Sequence, residues 1–238
     1  MSLLTIFLLI IAIFLIYYLL KYAFSDPYTL NKLSNAQTEV TIQSTTLAGG
    51  GNSLNFAYSI WLYVNDWNYN FGEIKPVFGR MVQGQSTGSS PVSGYSNPCP
   101  LVVLGGTENN LQIILDCEGT GPSVNNIANI PLQKWVNLMV SVYGRTMDIY
   151  LDGKLVKTAL LPGVPNVVQS ADVYITPKGG FDGFTSNFQY YPTALNPQDA
   201  WNIYSKGYGG NVISNFLKSF QVQVTLLQNG VQYSSFTV

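Results

Sequence analysis

Carboxylates are the side chains of this sequence with the widest scope for chemistry, because the chain contains no histidine. That absence excludes Ser-His-Asp and Cys-His catalysis, histidine-ligated zinc and an imidazole pH switch. Hydrolysis of a glycosidic bond needs only two carboxyl groups about 5 to 10 Å apart. The closest approach is Asp116-Cys117-Glu118 at a predicted strand end, and no partner acid is identifiable for it. The sequence therefore predicts a protein that is not an enzyme.

The two cysteines could form one covalent link across a predicted hairpin. Centring that hairpin on the turn at 105–110 pairs Leu104 with Gln112 and places Cys99 opposite Cys117. Directly opposed residues of antiparallel strands can come within disulfide reach. We therefore predict a Cys99–Cys117 bridge, and the alternative is two free thiols at the ends of the hairpin. A bridge would be unusual in a reducing cytosol.

An uncharged apolar run near the N-terminus predicts a membrane anchor. Leu3 to Leu20 are apolar or aromatic apart from Thr5, and as a helix they would span about 27 Å, close to the hydrocarbon thickness of a bilayer. A cleaved signal peptide would have a shorter apolar core behind a basic start, and a buried helix would carry a polar stripe. Side chains expected at the membrane interface are Tyr17, Tyr18, Lys21 and Tyr22.

The overall composition limits the partners and suggests a topology. Only 10% of the residues are charged and the net charge is -1, which excludes an electrostatic nucleic-acid binder. A domain packed among neighbouring subunits needs few charges, and the 16 tyrosines fit such interfaces. Lys21 and Lys32 follow the anchor, and the sequence contains no N-x-S/T glycosylation acceptor. Both observations favour a domain on the cytosolic side of the membrane.

From about residue 38 onward, apolar and polar residues alternate between tight turns, which is typical of antiparallel strands. Asp152-Gly153 predicts one such turn, and a short helix is expected between the capping residue Asn196 and Gly207. The predicted fold class is all-β, an antiparallel sandwich preceded by one transmembrane helix. The predicted parts are an anchor at 1–24, a stalk at 25–37, the sandwich at 38–208 and a C-terminal β-hairpin extension at 209–238 that packs on the sandwich.

A segment rich in glycine, serine and proline at 83–100 predicts a long loop. Such a loop either contacts a partner or extends freely from the surface. Candidate partner contacts are Tyr95 and Asn97 in this loop and Tyr233 in the C-terminal hairpin.

Three blocks of the sequence resemble laminin-G-like domains of the concanavalin A-like lectin/glucanase superfamily. In Ile130 to Val156 a tryptophan opens a strand, a turn follows, and the stretch Tyr-x-Asp-Gly-x-x-Val closes the block. Tyr58 to Val64 is similar to the early aromatic strand of the family, and Phe181 to Gly207 to its closing strand and final helix. The resemblance implies a concanavalin A-like jelly roll.

The same resemblance implies function only broadly, because this fold hosts lectins, glycosidases, adhesion modules and structural proteins. The hydrolases of the superfamily carry Glu-x-Asp-x-Glu on one strand, and Ile114 stands where the first of these acids would be. No cofactor is expected, although some laminin-G-like domains hold one Ca²⁺ at a sheet rim. Weak candidates for such calcium ligands are Asp66, Asp116 and Asp182. Trp61 and Trp135 are interpreted as packing aromatics rather than sugar platforms.

The sequence favours a membrane-anchored structural protein. Anchored domains of this type without sugar-site motifs resemble minor structural proteins of large DNA viruses, which build a protein shell around an internal membrane. The hypothesis is a single-pass minor capsid protein that links the virion's internal or host-derived membrane to capsid subunits, with its domain on the cytosolic, capsid-facing side. The alternative is a membrane-anchored, lectin-like attachment protein that binds a glycan.

Overall fold

The computed structural model describes residues 27–51, 53–84 and 90–209, the helical residues 11, 12, 14, 15 and 18, and the backbone of 223–228 and 231–237. The strands are β1 (Thr29–Asn31), β2 (Ser34–Asn35), β3 (Val40–Ile42), β4 (Phe56–Asp66), β5 (Lys75–Gln83), β6 (Tyr95–Ser96), β7 (Leu101–Leu104), β8 (Leu111–Leu115), β9 (Ser123–Ile127), β10 (Trp135–Tyr143), β11 (Thr146–Leu151), β12 (Lys154–Leu160), β13 (Asp172–Ile175), β14 (Asp182–Tyr191), β15 (Gln223–Gln228) and β16 (Val231–Thr237). One helix, α1, spans Pro197–Ser205, and short 3-10 turns lie at Ser44–Thr46, Ala48–Gly51 and Pro177–Gly179.

Two seven-stranded antiparallel sheets form the sandwich, so the predicted all-β architecture is confirmed. Sheet A has the order β1-β14-β4-β10-β11-β12, and β2 also pairs with β14. Sheet B has the order β3-β13-β5-β7-β8-β9, and β6 also pairs with β5. Strands that are distant in sequence are therefore neighbours in both sheets, which brings remote loops together at the two ends of the sandwich.

Strand β4 shows how the sequence creates the core between the sheets. Every second side chain of β4, from Phe56 to Val64, points inward and is buried in the main hydrophobic cluster. Tyr58 packs there against Phe78 of sheet B and Phe188 of sheet A, with ring centroids 5.6 and 5.9 Å away. Each large side chain that is fully buried in this way contributes about 1.5–3 kcal/mol to stability.

The outer face of sheet A is covered in part by α1. Ala200 and Ile203 of the helix pack on Met139, Tyr150 and Tyr191 of the sheet. The helix begins with the predicted cap: Asn196 accepts hydrogen bonds from the backbone N–H groups of residues 198 and 199, and the side chain of Asp199 accepts from the backbone of Asn196. This reciprocal pair satisfies donors that a helix start otherwise leaves free.

The predicted loop at 83–100 is partly incorporated into the sandwich. Residues 95–96 form β6, which pairs with the end of β5 through Val82 and Ser96. Val92 and Tyr95 lie in a second hydrophobic cluster on the outer face of sheet B, together with Met81 and Tyr174. The described part of this segment therefore covers a sheet face rather than extending into solvent.

The N-terminal part of the sandwich also differs from the prediction. Part of the expected stalk at 25–37 belongs to sheet A, because β1 and β2 both pair with β14. Among the described residues, none of the helices has the length and apolar character needed to cross a membrane. The anchor predicted at 1–24 lies outside the described residues apart from the five helical ones.

At the C-terminus, β15 and β16 pair antiparallel with each other, as a hairpin requires. The packing of this hairpin on the sandwich stays a prediction.

The register of the β7–β8 hairpin differs from the prediction by one residue. Leu104 pairs with Leu111 instead of Gln112, because Gly105 N–H donates to the Asn110 carbonyl at 2.8 Å and closes the turn one residue earlier. This shift removes the direct opposition of Cys99 and Cys117. Both cysteines are free and buried thiols, so the predicted bridge is not formed.

The two ends of sheet A have different surroundings. We call the end where β1, β4 and β11 begin the tether end, because the chain arrives there from the N-terminal segment. We call the opposite end, where β4 ends and β10 begins, the rim end. Strand β4 has 11 residues, so the two ends lie about 35 Å apart.

Candidate ligand pocket at the rim end

A cleft of about 440 Å³ opens at the rim end, and we call it the rim pocket. Three loops build it: the turn after β4, the β7–β8 turn and the connection from β9 to β10. The lining residues are Trp67, Thr107, Glu108, Asn109, Asn110, Asn129 and Leu132.

Hydrogen bonds fix these three loops to one another. Gly72 N–H donates to the Gly106 carbonyl at 3.1 Å, which joins the turn after β4 to the β7–β8 turn. Ile130 N–H donates to the Asn109 carbonyl at 2.8 Å, and the Asn109 amide donates back to the Ile130 carbonyl at 3.2 Å. Gly106 also packs so closely on Gly72 that a Cβ atom there would lie 2.8 Å from its backbone. The pocket is therefore preorganised by the backbone.

Trp67 forms an aromatic wall of the pocket and rests on a buried cation. The Lys75 ammonium lies 4.6 Å from the Trp67 ring centroid, a cation–π geometry. Lys75 is fully buried and donates one hydrogen bond, to the Gly106 carbonyl at 3.3 Å. Burial lowers the pKa of Lys75 below its ordinary value, because the charged form loses hydration. The cation holds the indole ring in place between two of the three loops.

The other pocket residues supply polar groups. The Asn110 amide donates to the Glu108 carboxylate at 2.6 Å, which fixes the orientation of that carboxylate. Asn129 adopts a left-handed backbone conformation, φ 58°, beside them. An aromatic face next to oriented amides and a carboxylate can bind a small polar ring, with the apolar ring face on the indole and its hydroxyls on the polar groups.

The predicted calcium ligands do not form one cluster. Asp66 and Asp182 are brought into register opposite each other at the rim end. The Asp182 carboxylate accepts from the Asn65 amide at 2.8 Å, and that of Asp66 accepts from the Asn68 backbone at 2.9 Å. Within the described ranges, groups of three or more residues that could hold a metal ion are absent.

Asp116 directly follows β8 of sheet B and lies away from that pair. Its carboxylate accepts hydrogen bonds from the Asn97 amide at 3.3 Å and the Asn166 amide at 3.0 Å. Asp116 is buried whereas Glu118 is exposed. The acidic pair noted in the sequence therefore contains one carboxylate engaged by two amides and one facing solvent.

Two predicted partner contacts are engaged within the sandwich. Tyr95 is only 4% exposed, its hydroxyl donates to Glu39, and its ring lies 4.8 Å from that of Tyr174. Asn97 is half-buried and bonded to Asp116. Tyr233 lies on β16, and its side chain is outside the described residues.

The remaining predicted positions concern the membrane interface and the packing tryptophans. Tyr18 is exposed on the helical N-terminal residues, with its ring 6.4 Å from that of Phe14. Trp61 is buried and Trp135 half-buried, both on the outer face of sheet A, where Tyr208 stacks on Trp135 at 4.5 Å. Tyr17, Lys21 and Tyr22 lie outside the described residues.

Sequence reasoning missed Trp67 and Glu108. Their positions in the sequence indicate that both lie in loops: Trp67 directly follows the long strand β4, and Glu108 lies in the turn of the β7–β8 hairpin. Their proximity depends on β4 and β7 ending at the same side of opposite sheets, which the sequence pattern does not specify.

Comparisons with solved structures show the same fold in larger proteins. The receptor-binding domain of botulinum neurotoxin C/D mosaic serotype matches with a TM-score of 0.55 at 14% identity, covering 78% of this chain and 47% of that one. The binding domain of botulinum neurotoxin DC with rat synaptotagmin II gives 0.52 at 15%, covering 74% and 42%. The same domain with SialylT gives 0.52 at 15%, covering 71% and 39%. The chain thus spans less than half the length of each of these structures.

At the sequence level, no curated protein matches the chain. Residues 34–200, most of the sandwich, match the Laminin_G_3 family of the concanavalin A-like lectin/glucanases superfamily. The two facing antiparallel sheets agree with that match. The chain therefore belongs to the Laminin_G_3 family of the concanavalin A-like lectin/glucanases superfamily.

Proposed function

We propose that the protein is a non-catalytic, membrane-anchored recognition module that binds a saccharide in the rim pocket. The observation that carries this proposal is the juxtaposition of the Trp67 ring with the oriented Glu108–Asn110 pair in a cleft fixed by three loops. Sugars present an apolar ring face and several hydroxyls, which match an indole and a set of planar acceptors and donors. The anchor is the apolar run from Leu3 to Leu20.

Two further observations support a binding role. The fold neighbours are themselves binding domains, one seen with rat synaptotagmin II and one with SialylT. The more buried of the two neighbouring acids, Asp116, accepts hydrogen bonds from the amides of Asn97 and Asn166, whereas hydrolysis of a glycosidic bond needs a second carboxyl group across a cleft.

The test is glycan binding by the full-length protein in lipid nanodiscs, first on a broad glycan array and then by titration with the best ligand. Glu108→Gln keeps the shape of the side chain and removes its charge. Because a hydrogen bond to a charged group contributes about 1.5–3 kcal/mol, we expect its affinity to fall by roughly tenfold or more. Trp67→Leu should abolish binding.

Matched controls lie outside the pocket. Glu118→Gln removes an exposed acid from the turn between β8 and β9, and Trp135→Leu removes a half-buried tryptophan from the outer face of sheet A. Both variants should bind like the unmodified protein. A complete absence of binding on the array, or equal losses in Glu108→Gln and Glu118→Gln, would count against the proposal.

A second candidate function is the minor capsid protein that links an internal virion membrane to the shell. The apolar run at Leu3–Leu20 and the charge-poor composition favour it. In this case the sandwich would lie on the cytosolic, capsid-facing side and contact capsid subunits. Deletion of residues 1–24 should then prevent incorporation into particles. Normal incorporation of the truncated protein would exclude this role.

A further inference from the structure

The lining of the rim pocket contains one charged side chain, the carboxylate of Glu108. Glu108 is exposed, and its oxygen Oε2 accepts a hydrogen bond from the Asn110 amide at 2.6 Å. Among the residues that the structure describes, its other oxygen, Oε1, accepts no hydrogen bond, and the carboxylate has no ion-pair partner. The pocket therefore presents an oriented negative charge with a free acceptor atom to its ligand.

Of the basic side chains in the described ranges, none lines the pocket to balance this charge. Two lysines belong to the segments that carry the pocket loops. The ammonium of Lys75 is fully buried against the Trp67 ring, so a ligand in the cleft cannot contact it. Lys134 is exposed, and its ammonium lies 3.5 Å from the Asp152 carboxylate. An anionic ligand in the pocket would therefore face a carboxylate of the same sign without a compensating cation.

The asparagines of the pocket add further acceptors. The amide nitrogen of Asn109 donates to the Ile130 carbonyl, and that of Asn110 donates to Glu108, so each has one hydrogen engaged. The side-chain carbonyl oxygens of both residues, and that of Asn129, accept no hydrogen bond within the described part of the chain. These oxygens favour a ligand that donates hydrogen bonds, and an ammonium group donates three where a hydroxyl donates one.

We infer that the ligand of the rim pocket is an amino sugar with a free ammonium group, a hexosamine. Its ammonium donates to Glu108, and its apolar ring face lies on the Trp67 indole. A hydrogen bond with an ionised partner is roughly twice as strong as a neutral one, and an indole face also attracts a cation. This inference rests on the proposed function and deepens it by naming the charge of the saccharide.

The test compares four tetrasaccharides that share one β-linked glucose backbone and differ in charge. They are the tetramers of glucosamine, glucose, N-acetylglucosamine and glucuronate. Each is titrated into the full-length protein in phosphatidylcholine nanodiscs at about pH 6, where an amine is protonated and a glutamate ionised. We expect the glucosamine tetramer to bind roughly tenfold more tightly than the two neutral tetramers. The glucuronate tetramer should bind at least about tenfold more weakly than the glucose tetramer.

A matched pair of variants shows whether this preference comes from the pocket. Glu108→Gln removes the charge, so its affinities for the glucosamine and glucose tetramers should differ by less than about threefold. Its affinity for the glucuronate tetramer should rise toward that for glucose. Glu118→Gln removes an exposed acid outside the pocket and leaves the same net charge on the protein. It should keep the full preference, because general attraction of a cation to an acidic protein would be equal in both variants.

The outcomes separate this inference from the proposed function. Equal affinities for the glucosamine and glucose tetramers, tightest binding of the glucuronate tetramer, or a preference that survives Glu108→Gln would overturn the inference and leave saccharide binding in place. Failure of the glucosamine tetramer to bind, while another glycan of the array does, would have the same consequence. Failure of every glycan, including those of the array, would instead remove the proposed function and the inference with it.

Discussion

Each end of the sandwich buries one cation, and the two cations are treated differently. Arg80, near the tether end, is 2% exposed, and its guanidinium donates to four backbone carbonyls at 2.7–3.3 Å. Those carbonyls belong to Gly51, Val168, Gln169 and Ala171. Lys75, at the rim end, is equally buried but has one carbonyl at 3.3 Å and the Trp67 ring.

The difference indicates that Arg80 stabilises the fold, whereas Lys75 positions Trp67 of the rim pocket. A planar guanidinium can serve several acceptors at once, so Arg80 joins the 3-10 turn before β4 to the loop before β13. The ammonium of Lys75 has three donors, and its described contacts use one of them for a hydrogen bond. The Arg80 side chain therefore ties loops together near the tether end, whereas at the rim end backbone hydrogen bonds between the loops are joined by one from the Asn109 amide and one from Lys75.

The largest expected effect is on stability, from Arg80→Met. Removing the guanidinium leaves four carbonyls without this donor, and an unsatisfied buried acceptor costs about 1–3 kcal/mol. Water will rescue some of them, so we expect a loss of about 3–5 kcal/mol in urea unfolding of the full-length protein in detergent. Arg145→Met, which also removes an arginine bonded to two carbonyls but at the surface, should cost about 1 kcal/mol or less. Equal losses of stability in Arg80→Met and Arg145→Met would show that the buried arginine contributes no more than the exposed one.

The next effect should appear mainly in ligand binding, from Gly106→Ala. The added methyl group would lie 2.8 Å from the Gly72 backbone and push two pocket loops apart. The control is Gly163→Ala near the tether end, where the methyl group meets the Glu118 carbonyl at 2.7 Å. We expect both to cost about 1–3 kcal/mol of stability, because overpacking typically costs that much. Only Gly106→Ala should also weaken glycan binding, by roughly tenfold, in the titration described above.

If Gly163→Ala weakened binding as much as Gly106→Ala, the pocket would depend on global stability rather than on local loop geometry. Measuring affinity well below the unfolding temperature of both variants keeps the two explanations apart.

The fold was predictable because its signals are local. Alternation in β4, the turn at Asp152-Gly153 and the cap at Asn196 each act within a few residues, and the structure contains all three. The register of the β7–β8 hairpin was missed because one backbone hydrogen bond, from Gly105 to Asn110, decides it. No periodic pattern encodes a shift of one residue in a turn.

The rim pocket could not be predicted for a different reason. Trp67, Glu108 and Asn129 lie in three loops separated by more than 20 residues each, and they meet because the strand order differs from the chain order. The same reason explains why the burial of Tyr95, predicted as a partner contact, was not anticipated from the sequence. Its neighbours Glu39 and Tyr174 are remote in sequence, and they bury it.

The smallest effect on stability at neutral pH is expected for Lys75→Met. Replacing a buried charge by an apolar side chain of similar length is often neutral, since the cost of desolvation disappears with the charge. The methionine sulfur can still pack on the Trp67 ring. We therefore expect stability within about 1 kcal/mol of the unmodified protein at pH 7, in contrast to Arg80→Met. A loss of several kcal/mol would show that Lys75 is a structural tie like Arg80.

The pH dependence sharpens this comparison further. Because burial lowers the pKa of Lys75 below the ordinary 10.5, the unfolded chain holds this proton at pH values where the folded protein has already released it. The stability of the unmodified protein should therefore rise relative to Lys75→Met as the pH increases from the lowered value toward 10.5. Urea unfolding of both proteins between pH 7 and 10.5 measures this difference. The control variant is Lys134→Met, which removes an exposed lysine at the same end. A flat difference for Lys75→Met would mean that the ammonium retains its hydration, and that Trp67 is then held by the loop backbone alone.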